Sequence, residues 1–262
     1  MLHIFRRALA TQRHLKRSRH YSAYYSQLLI RLFSDDMLGP MSKSPPQKAF
    51  IFDMDGVLID TERTWVKHGG DFLPNLLGKE IMEKIGSTIG MSGAAIFKKA
   101  RELGADFDEV ACIAQHDAEA KRIYGIAAMT TGIDELGNML HERGYAMGIV
   151  SASRREWINF MLPRLSFADH ISLVLSLSER PDLRGKPDPD GYQEAMQLMG
   201  VTPDNTIILE DSNSGIAAGK AANAFVIGLR ANLVDGYKQE GADLYADSIE
   251  DVMRHIASLD HL

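Results

Sequence analysis

Two aspartates stand two residues apart, directly after a short apolar run. Asp53 and Asp55 belong to residues 52–62, and residues 48–53 are typical of a strand buried on both faces. Two carboxylates at the end of a buried strand are costly unless a cation lies beside them. Mg²⁺ is the obvious candidate, because it takes oxygen ligands and keeps several waters. An isolated pair of this kind is more often a loop that ends in two solvated aspartates.

Two polar stretches further along the chain could bind a phosphate group. Ser151 and Ala152 follow the apolar run 146–150, where a hydroxyl and the next backbone N–H groups could hold phosphate oxygens. Lys186 lies in the Gly-Lys-Pro-Asp-Pro turn at 185–189, a stiff position for a point charge. A serine before a helix is more often an N-cap, and a lysine is more often solvated, so neither stretch is specific alone.

Adjacent acids end another apolar run. Glu210 and Asp211 follow residues 206–209, and Asp211 could complete the ligand set of a metal. By itself this stretch is compatible with the capped start of a helix.

These positions come together only if strands and helices alternate along the chain. Apolar runs predict strands at residues 48–53, 146–150, 171–175, 206–209 and 224–228. Helical patterns lie between them, at residues 133–143, 154–165, 188–199 and 214–222. This alternation indicates an α/β protein with a doubly wound, mainly parallel sheet, in which ligands bind beyond the carboxyl ends of the strands.

Residues 64–130 interrupt this alternation. Helical patterns occur near residues 65–77, 79–85, 92–103 and 107–126, without a convincing strand. We expect an inserted helical cap over the end of the first strand. The α/β core is then expected at residues 47–63 and 131–262.

In their order along the chain, the four motifs resemble those of the haloacid dehalogenase-like (HAD) hydrolase superfamily, over about residues 48–255. The chain is similar to the β-phosphoglucomutase-like and sugar-phosphatase branch, which has a Rossmann-like core and a helical cap. The resemblance implies that Asp53 is the nucleophile. It implies that Asp55 is the general acid/base, and that its backbone carbonyl also reaches the metal.

The same resemblance assigns roles to the remaining motifs. Ser151, Ala152 and Lys186 resemble the phosphate-binding positions. Asp211 resembles the metal-binding acid, with Glu210 beside it in the metal site together with the aspartates of the first motif. The implied cofactor is Mg²⁺.

The chemistry of these residue types agrees with a phosphatase. A carboxylate such as Asp53 can attack phosphorus and give an aspartyl-phosphate, while Mg²⁺ and Lys186 neutralise the charge. Asp55 can protonate the leaving alkoxide and later deprotonate the attacking water. A dehalogenase needs neither this proton donor nor a metal, so Asp55 and Asp211 argue against one.

The sequence therefore predicts a Mg²⁺-dependent phosphatase of small phosphate monoesters, with a sugar phosphate preferred. The alternatives are a β-phosphoglucomutase-like mutase and a catalytically silent HAD-like binding protein. Mutases of this branch carry a histidine four residues after the threonine that Thr61 matches, and this chain has Trp65 there. They also carry a cap arginine near the stretch 90–93, which has no cation here.

Substrate contacts in the cap are less specific. Thr61 and Trp65 are possible substrate residues, although Thr61 could instead cap a helix. Met91, Lys98 and Lys99 could also line the cap, although core or solvated helix positions would explain them as well.

Charge and cysteine content limit the other classes. Residues 41–262 hold 22 Lys or Arg and 33 Asp or Glu, which argues against nucleic-acid binding. The single cysteine, Cys112, excludes an internal disulfide and a cysteine-based zinc site. No apolar stretch approaches the length of a membrane span. We expect a cytoplasmic monomer that acts on a small-molecule phosphate ester.

The first 40 residues differ in composition from the rest. They hold seven Lys or Arg and two acids, and the Ser-Pro-Pro run at 44–46 is typical of a linker. Residues 1–46 are therefore predicted to be a disordered basic extension and linker. A transit peptide, which would give an organellar location, and translation from Met41 are the alternatives.

Overall fold

A computed structural model of the chain describes residues 48–89 and 91–259. Within these residues, six parallel strands form one sheet in the order β3-β2-β1-β4-β5-β6. The strands are β1 Ala49–Phe52, β2 Ala146–Ser151, β3 Ile171–Ser176, β4 Thr206–Glu210, β5 Phe225–Leu229 and β6 Leu244–Ala246. The predicted doubly wound α/β class is confirmed. The predicted basic extension lies outside the described residues.

Helices pack around the sheet. The helices are α1 Thr61–Thr64, α2 Phe72–Leu77, α3 Lys79–Ile85, α4 Gly93–Glu102, α5 Glu109–Ile126, α6 Ile133–Glu142, α7 Arg155–Met161, α8 Asp190–Met199, α9 Asn213–Ala221 and α10 Ile249–Leu259. Among the described residues, α1–α6 lie between β1 and β2, and α7–α10 follow later strands. A π-helical turn, Trp65–Gly69, continues α1.

The central strand β1 is buried on both faces. Phe50 and Phe52 belong to one apolar cluster and Ile51 to another, and all three side chains are fully buried. This alternation follows from the two-residue period of a strand. β1 therefore has an apolar helical layer on each side, which explains its unbroken apolar run.

The chain reverses its direction of sheet growth at β1. It first adds β2 and β3 on one side of β1, then crosses over to add β4, β5 and β6 on the other. In parallel sheets such a reversal leaves a crevice beyond the carboxyl ends of the two strands concerned, here β1 and β4. The motifs that follow β1, β2 and β4 meet at this crevice.

Helices α1–α5 lie between β1 and α6 and have an apolar cluster of their own. Its buried members are Leu77, Ile85, Ile96, Phe97, Ala100 and Cys112. The prediction of one helix over residues 65–77 is wrong, because the π-helical turn ends at Gly69 and α2 begins at Phe72. Gly70 connects them with a φ of 37°, a conformation that favours glycine.

Among the described residues, no helix combines the length and hydropathy required to cross a bilayer.

Candidate active site

Asp53 is held at the end of β1 by both its backbone and its side chain. Its N–H donates to the carbonyl of Leu209 in β4 (3.0 Å). Its Oδ1 accepts a hydrogen bond from Lys186 Nζ at 2.5 Å, and the Lys186 side chain is 5% exposed. The turn at 185–189 thus delivers its lysine to the first aspartate, across 133 positions of sequence.

Glu210 is the most buried acid of the site, and its carboxylate accepts hydrogen bonds from side chains and from the backbone of the loop after β4. Its Oε1 accepts from Lys186 Nζ (2.5 Å) and from the Tyr192 hydroxyl (2.7 Å). Its Oε2 accepts from the N–H groups of Asp211 (3.1 Å) and Ser212 (3.2 Å), and from the Ser212 hydroxyl (3.2 Å). Both oxygens are fully engaged, so Glu210 positions the lysine and the loop after β4.

The chain can approach Glu210 and Asp211 closely because two glycines face them. A Cβ at Gly215, in the first turn of α9, would overlap the Glu210 carboxylate. A Cβ at Gly56 would overlap the Asp211 carboxylate, and Gly56 also has a φ of 78°. Both positions therefore require glycine on steric grounds.

The acids at this crevice suit a hard divalent cation. Asp53, Glu210 and Asp211 each place one carboxylate oxygen so that the three atoms lie within 4.8 Å of one another. The Asp211 carboxylate accepts no hydrogen bond within the described part of the chain, although its carbonyl oxygen accepts one from Gln239 (2.6 Å). A buried carboxylate without donors is stabilised by a metal ion, and oxygen ligands fit Mg²⁺.

The electrostatics of the two aspartates agree with this fit. Burial raises the pKa of Asp53 well above its usual range; Lys186 opposes this shift, and Glu210 adds to it. Burial likewise raises the pKa of Asp211, and repulsion from Glu210 and Asp53 raises it further. A divalent cation between them would relieve this repulsion.

Lys186 carries the positive charge that the chain itself supplies. Burial lowers the pKa of Lys186, but attraction to Asp53 and Glu210 outweighs burial, so the pKa lies well above its usual value. The ammonium group therefore remains charged at neutral pH.

Three hydroxyl groups hold the second aspartate. Asp55 Oδ1 accepts from Thr61 Oγ1 (2.8 Å) and from the Tyr124 hydroxyl (2.5 Å). Asp55 Oδ2 accepts from Ser153 Oγ (2.7 Å). Thr61 does not cap α1, because Asp60 occupies the N-cap position.

The loop after β2 carries Ser151 and Ala152, whose phosphate-binding role stays a prediction. Ser151 is fully buried, and its Oγ accepts a hydrogen bond from the N–H of Ser153 (3.0 Å). Ala152 and Ser153 line the cavity above Asp53, whereas Ser151 lies behind them.

A cavity of about 1080 Å³ opens over the crevice. Asp53, Asp55 and Lys186 line its floor. The residues that line it from α1–α5 and their connections include Trp65, Phe72, Met82, Met91, Ile96, Phe97 and His116. A small cluster of polar groups on the floor and a large apolar wall opposite are typical of a ligand site. Here the polar floor could bind a phosphate group, and the wall could contact the rest of the ester.

Trp65 and His116 form the aromatic centre of this wall. Their rings stack with centroids 5.6 Å apart and planes at 19°. Burial lowers the pKa of the His116 imidazole below its usual value. Lys98 and Lys99 do not line the cavity; Lys99 Nζ donates to the carbonyl of Ile85 at 2.9 Å.

Four polar residues of the site were not predicted from the sequence. Tyr124 and Ser153 bind Asp55, Tyr192 binds Glu210, and His116 lies in the cavity wall. Ser153 directly follows Ser151 and Ala152, the candidate phosphate-binding positions after β2, and this proximity is a usable signal. The other three lie within helical patterns that do not distinguish them from neighbouring positions.

Comparisons with known proteins agree with this geometry. The family model described as "Haloacid dehalogenase-like hydrolase" matches residues 50–229. Validoxylamine A 7'-phosphate phosphatase from Streptomyces hygroscopicus subsp. limoneus is 27% identical over 195 residues, covering 70% of this chain and 85% of that protein. Hexitol phosphatase A from Escherichia coli is 27% identical over 216 residues, covering 78% and 93%.

A solved structure supports the same relationship at the level of the fold. A hydrolase from Pseudomonas syringae superposes with a TM-score of 0.66 at 25% identity. The match covers 81% of this chain and 99% of that protein.

Proposed function

The chain belongs to the haloacid dehalogenase-like hydrolase family, and we propose that it is a Mg²⁺-dependent phosphatase of a small phosphate monoester, with a sugar phosphate preferred. The observation that carries this proposal is the buried pairing of Asp53 with Lys186 at the floor of a large cavity. Such a pair offers both a nucleophile and a fixed cation to one phosphoryl group.

In the first half of the reaction, an oxygen of the Asp53 carboxylate attacks phosphorus. The bond between phosphorus and the leaving oxygen breaks, and the phosphoryl group becomes attached to Asp53 as an acyl phosphate. Lys186 neutralises charge on the phosphoryl oxygens. Asp55, as the carboxylic acid, gives its proton to the leaving alkoxide and becomes a carboxylate.

In the second half, water attacks the phosphorus of the aspartyl-phosphate. The Asp55 carboxylate takes a proton from that water, the bond between phosphorus and Asp53 breaks, and inorganic phosphate leaves. Asp53 returns to a carboxylate and Asp55 to an acid, so protons balance over the cycle.

The residues that would hold Mg²⁺ are Asp53, Asp211 and the backbone carbonyl of Asp55, with Glu210 behind them. When bound, the ion supplies positive charge that offsets the repulsion between a phosphate dianion and these acids. The unpartnered Asp211 carboxylate supports this assignment.

The names of the two phosphatase relatives support a phosphate ester of a polyol or sugar as the substrate class. The helical segment above the floor, proposed as a cap over residues 64–130, would bind the leaving group through its aromatic wall. The intact Asp53, Asp55, Lys186 and Asp211 argue against a catalytically silent binding protein.

The test is phosphate release from a panel of sugar phosphates and p-nitrophenyl phosphate, with and without Mg²⁺, for wild type and Asp53→Asn. We expect Mg²⁺-dependent release by wild type and at least a hundredfold lower kcat for the variant, or about 2.7 kcal/mol of barrier. The fold should persist in the variant, because Lys186 keeps its bond to Glu210. Wild type that releases no phosphate under any condition would refute the proposal.

A further inference from the structure

We propose that Tyr124 and Ser153 are positioning residues for Asp55, whose hydroxyls hold its carboxyl group in the plane that delivers a proton to the leaving oxygen. The inference rests on the proposed function, since it concerns the acid/base of that reaction. Among the described residues, neither Tyr124 nor Ser153 forms a hydrogen bond with Asp53 or Lys186.

The polar atoms of the three side chains form a closed triangle of short contacts, and each hydroxyl donates its proton to Asp55. The Tyr124 hydroxyl lies 2.5 Å from Asp55 Oδ1, and Ser153 Oγ lies 2.7 Å from Asp55 Oδ2. The two hydroxyl oxygens are 2.9 Å apart. Because each carboxyl oxygen has its own partner, rotation of the carboxyl group about its terminal torsion would break both bonds. Thr61 also donates to Oδ1, whereas Ser153 is the partner of Oδ2, so Ser153 contributes most to the restraint on this rotation.

Both partners are themselves held rigidly by the core. The Tyr124 ring is 4% exposed and stacks on Trp157 of α7, with centroids 5.5 Å apart and planes at 6°. The Ser153 N–H donates to Ser151 Oγ (3.0 Å), and its carbonyl accepts from Ser176 Oγ (2.7 Å). A positioning group must be fixed by packing and further hydrogen bonds, and both residues meet this condition.

Through Tyr124, the helical segment α1–α5 contributes a hydrogen bond to the acid/base residue of the α/β core. It lies in the last turn of α5, a few residues before the chain returns to the sheet domain, and belongs to the main apolar cluster. Thr61, at the opposite end of the helical segment, bonds to the same Asp55 oxygen. Asp55 therefore accepts hydrogen bonds from both ends of the helical segment and from the loop after β2.

The need for a well-placed proton depends on the leaving group. An alkoxide from a sugar phosphate is strongly basic and requires the proton of Asp55 as its bond to phosphorus breaks. p-Nitrophenolate is a weak base and leaves without it. Loss of positioning should therefore reduce kcat/KM for alkyl phosphates selectively, since kcat/KM covers the steps through formation of the aspartyl-phosphate.

The experiment compares full-length wild type with Tyr124→Phe, Ser153→Ala and the double variant, in the presence of Mg²⁺. The substrates are p-nitrophenyl phosphate and the sugar phosphate with the fastest release in the panel. Tyr245→Phe is the matched control, because the Tyr245 hydroxyl accepts only a long bond from the Ala242 N–H (3.3 Å) at the sheet edge. Ser153→Thr restores a hydroxyl and serves as the conservative rescue.

We expect Ser153→Ala to lower kcat/KM for the sugar phosphate by about 10- to 100-fold, and Tyr124→Phe to lower it by a smaller factor, because Thr61 still donates to Oδ1. For p-nitrophenyl phosphate, each variant should lower kcat/KM by less than about threefold. The double variant should fall little below the worse single variant, because the two hydroxyls act as one unit. Ser153→Thr should recover most of the loss.

Equal losses on both substrates, or no loss on either, would overturn the inference while leaving the phosphatase assignment intact. Failure of the wild type to hydrolyse either ester would instead refute the assignment itself. If Tyr124→Phe disturbs the packing on Trp157, its thermal unfolding will reveal it, and the Ser153 variants still decide the question.

Discussion

Lys186 Nζ lies 2.5 Å from Glu210 Oε1, in an ion pair whose side chains are 5% and 0% exposed. The same ammonium group reaches Asp53, so one buried cation joins two acids from neighbouring strand ends. Glu210 thereby fixes the height of Lys186 above the sheet, which fixes where a phosphate can lie.

Glu210→Gln should be strongly destabilising. The amide removes the negative charge that balances Lys186. Its NH₂ group would also face donors that now bind the carboxylate, such as the Tyr192 hydroxyl. Breaking a buried ion pair typically costs about 3–5 kcal/mol of folding free energy. Urea unfolding at pH 7 measures the change. The control is Glu194→Gln, whose partner Arg180 lies on the surface, and it should cost less than about 1 kcal/mol. Similar costs for the two variants would show that Glu210 is not an organising group.

Asp211→Asn should weaken the response to Mg²⁺. The amide keeps the shape of the side chain but loses the charge that attracts the ion. We expect the Mg²⁺ concentration for half-maximal activity to rise at least about tenfold. Asp247→Asn, which changes an exposed acid distant from the crevice, is the control. An unchanged Mg²⁺ titration for Asp211→Asn would exclude this residue from the metal site.

The sheet could be predicted from the sequence wherever a strand is long and buried on both faces. β1 and β4 read as uninterrupted apolar runs because helices cover both sides of them. β6 and α10 were not predicted: β6 has three residues, two of them partly exposed, and offers no apolar run. The meeting of Asp53 with Asp211 follows from topology, since β1 and β4 are neighbours and their carboxyl ends lie at the same edge of the sheet. Lys186 lies well beyond the end of β3, a strand that is not next to β1, so its contact with Asp53 depends on the turn at 185–189.

The remainder of the site depends on how the helical segment packs, which a periodic pattern does not determine. Tyr124 occupies one position of an 18-residue helix, and nothing in the spacing of that helix indicates that it reaches Asp55. The break at Gly70 is likewise hidden, because the apolar pattern runs through it. Such contacts require the coordinates.

Because of His116, the free energy of unfolding should decrease as the pH falls into the acidic range. Burial lowers its pKa, with Arg154 acting in the same direction and Asp117 opposing it. Above pH of about 6.5 the imidazole is neutral in both states and contributes no pH dependence. As pH falls below that value, the unfolded chain binds a proton that the folded chain resists, so the free energy of unfolding decreases.

His116→Gln should therefore flatten the stability curve between about pH 6.5 and 5, relative to wild type. Urea unfolding at a series of pH values measures this difference. His68→Gln alters an exposed histidine and should leave the slope as it is in wild type. Parallel curves for wild type and His116→Gln would contradict the assignment of a depressed pKa.

Hydrolysis should prevail over phosphoryl transfer to a second sugar. A mutase must grip a distal phosphate while it keeps water away from the aspartyl-phosphate, so cations must face the cavity from the cap. Among the described residues of α1–α5 and their connections, none of those lining the cavity is a lysine or arginine. Trp65 stands where a mutase would carry histidine, and burial lowers the pKa of the His116 imidazole that stacks on it.

Two arginines do border the cavity, but both are already engaged by acids. Arg154 pairs with Asp117, and Arg155 pairs with Glu179 at 3.0 Å. We therefore expect inorganic phosphate to be released from hexose or pentose monophosphates without a requirement for a bisphosphate. Phosphate release and conversion of β-glucose 1-phosphate to glucose 6-phosphate should be measured in parallel, with and without glucose 1,6-bisphosphate. If conversion is faster than release and the bisphosphate activates it, the arginines must leave their acids to grip the second phosphate, and the enzyme is a mutase.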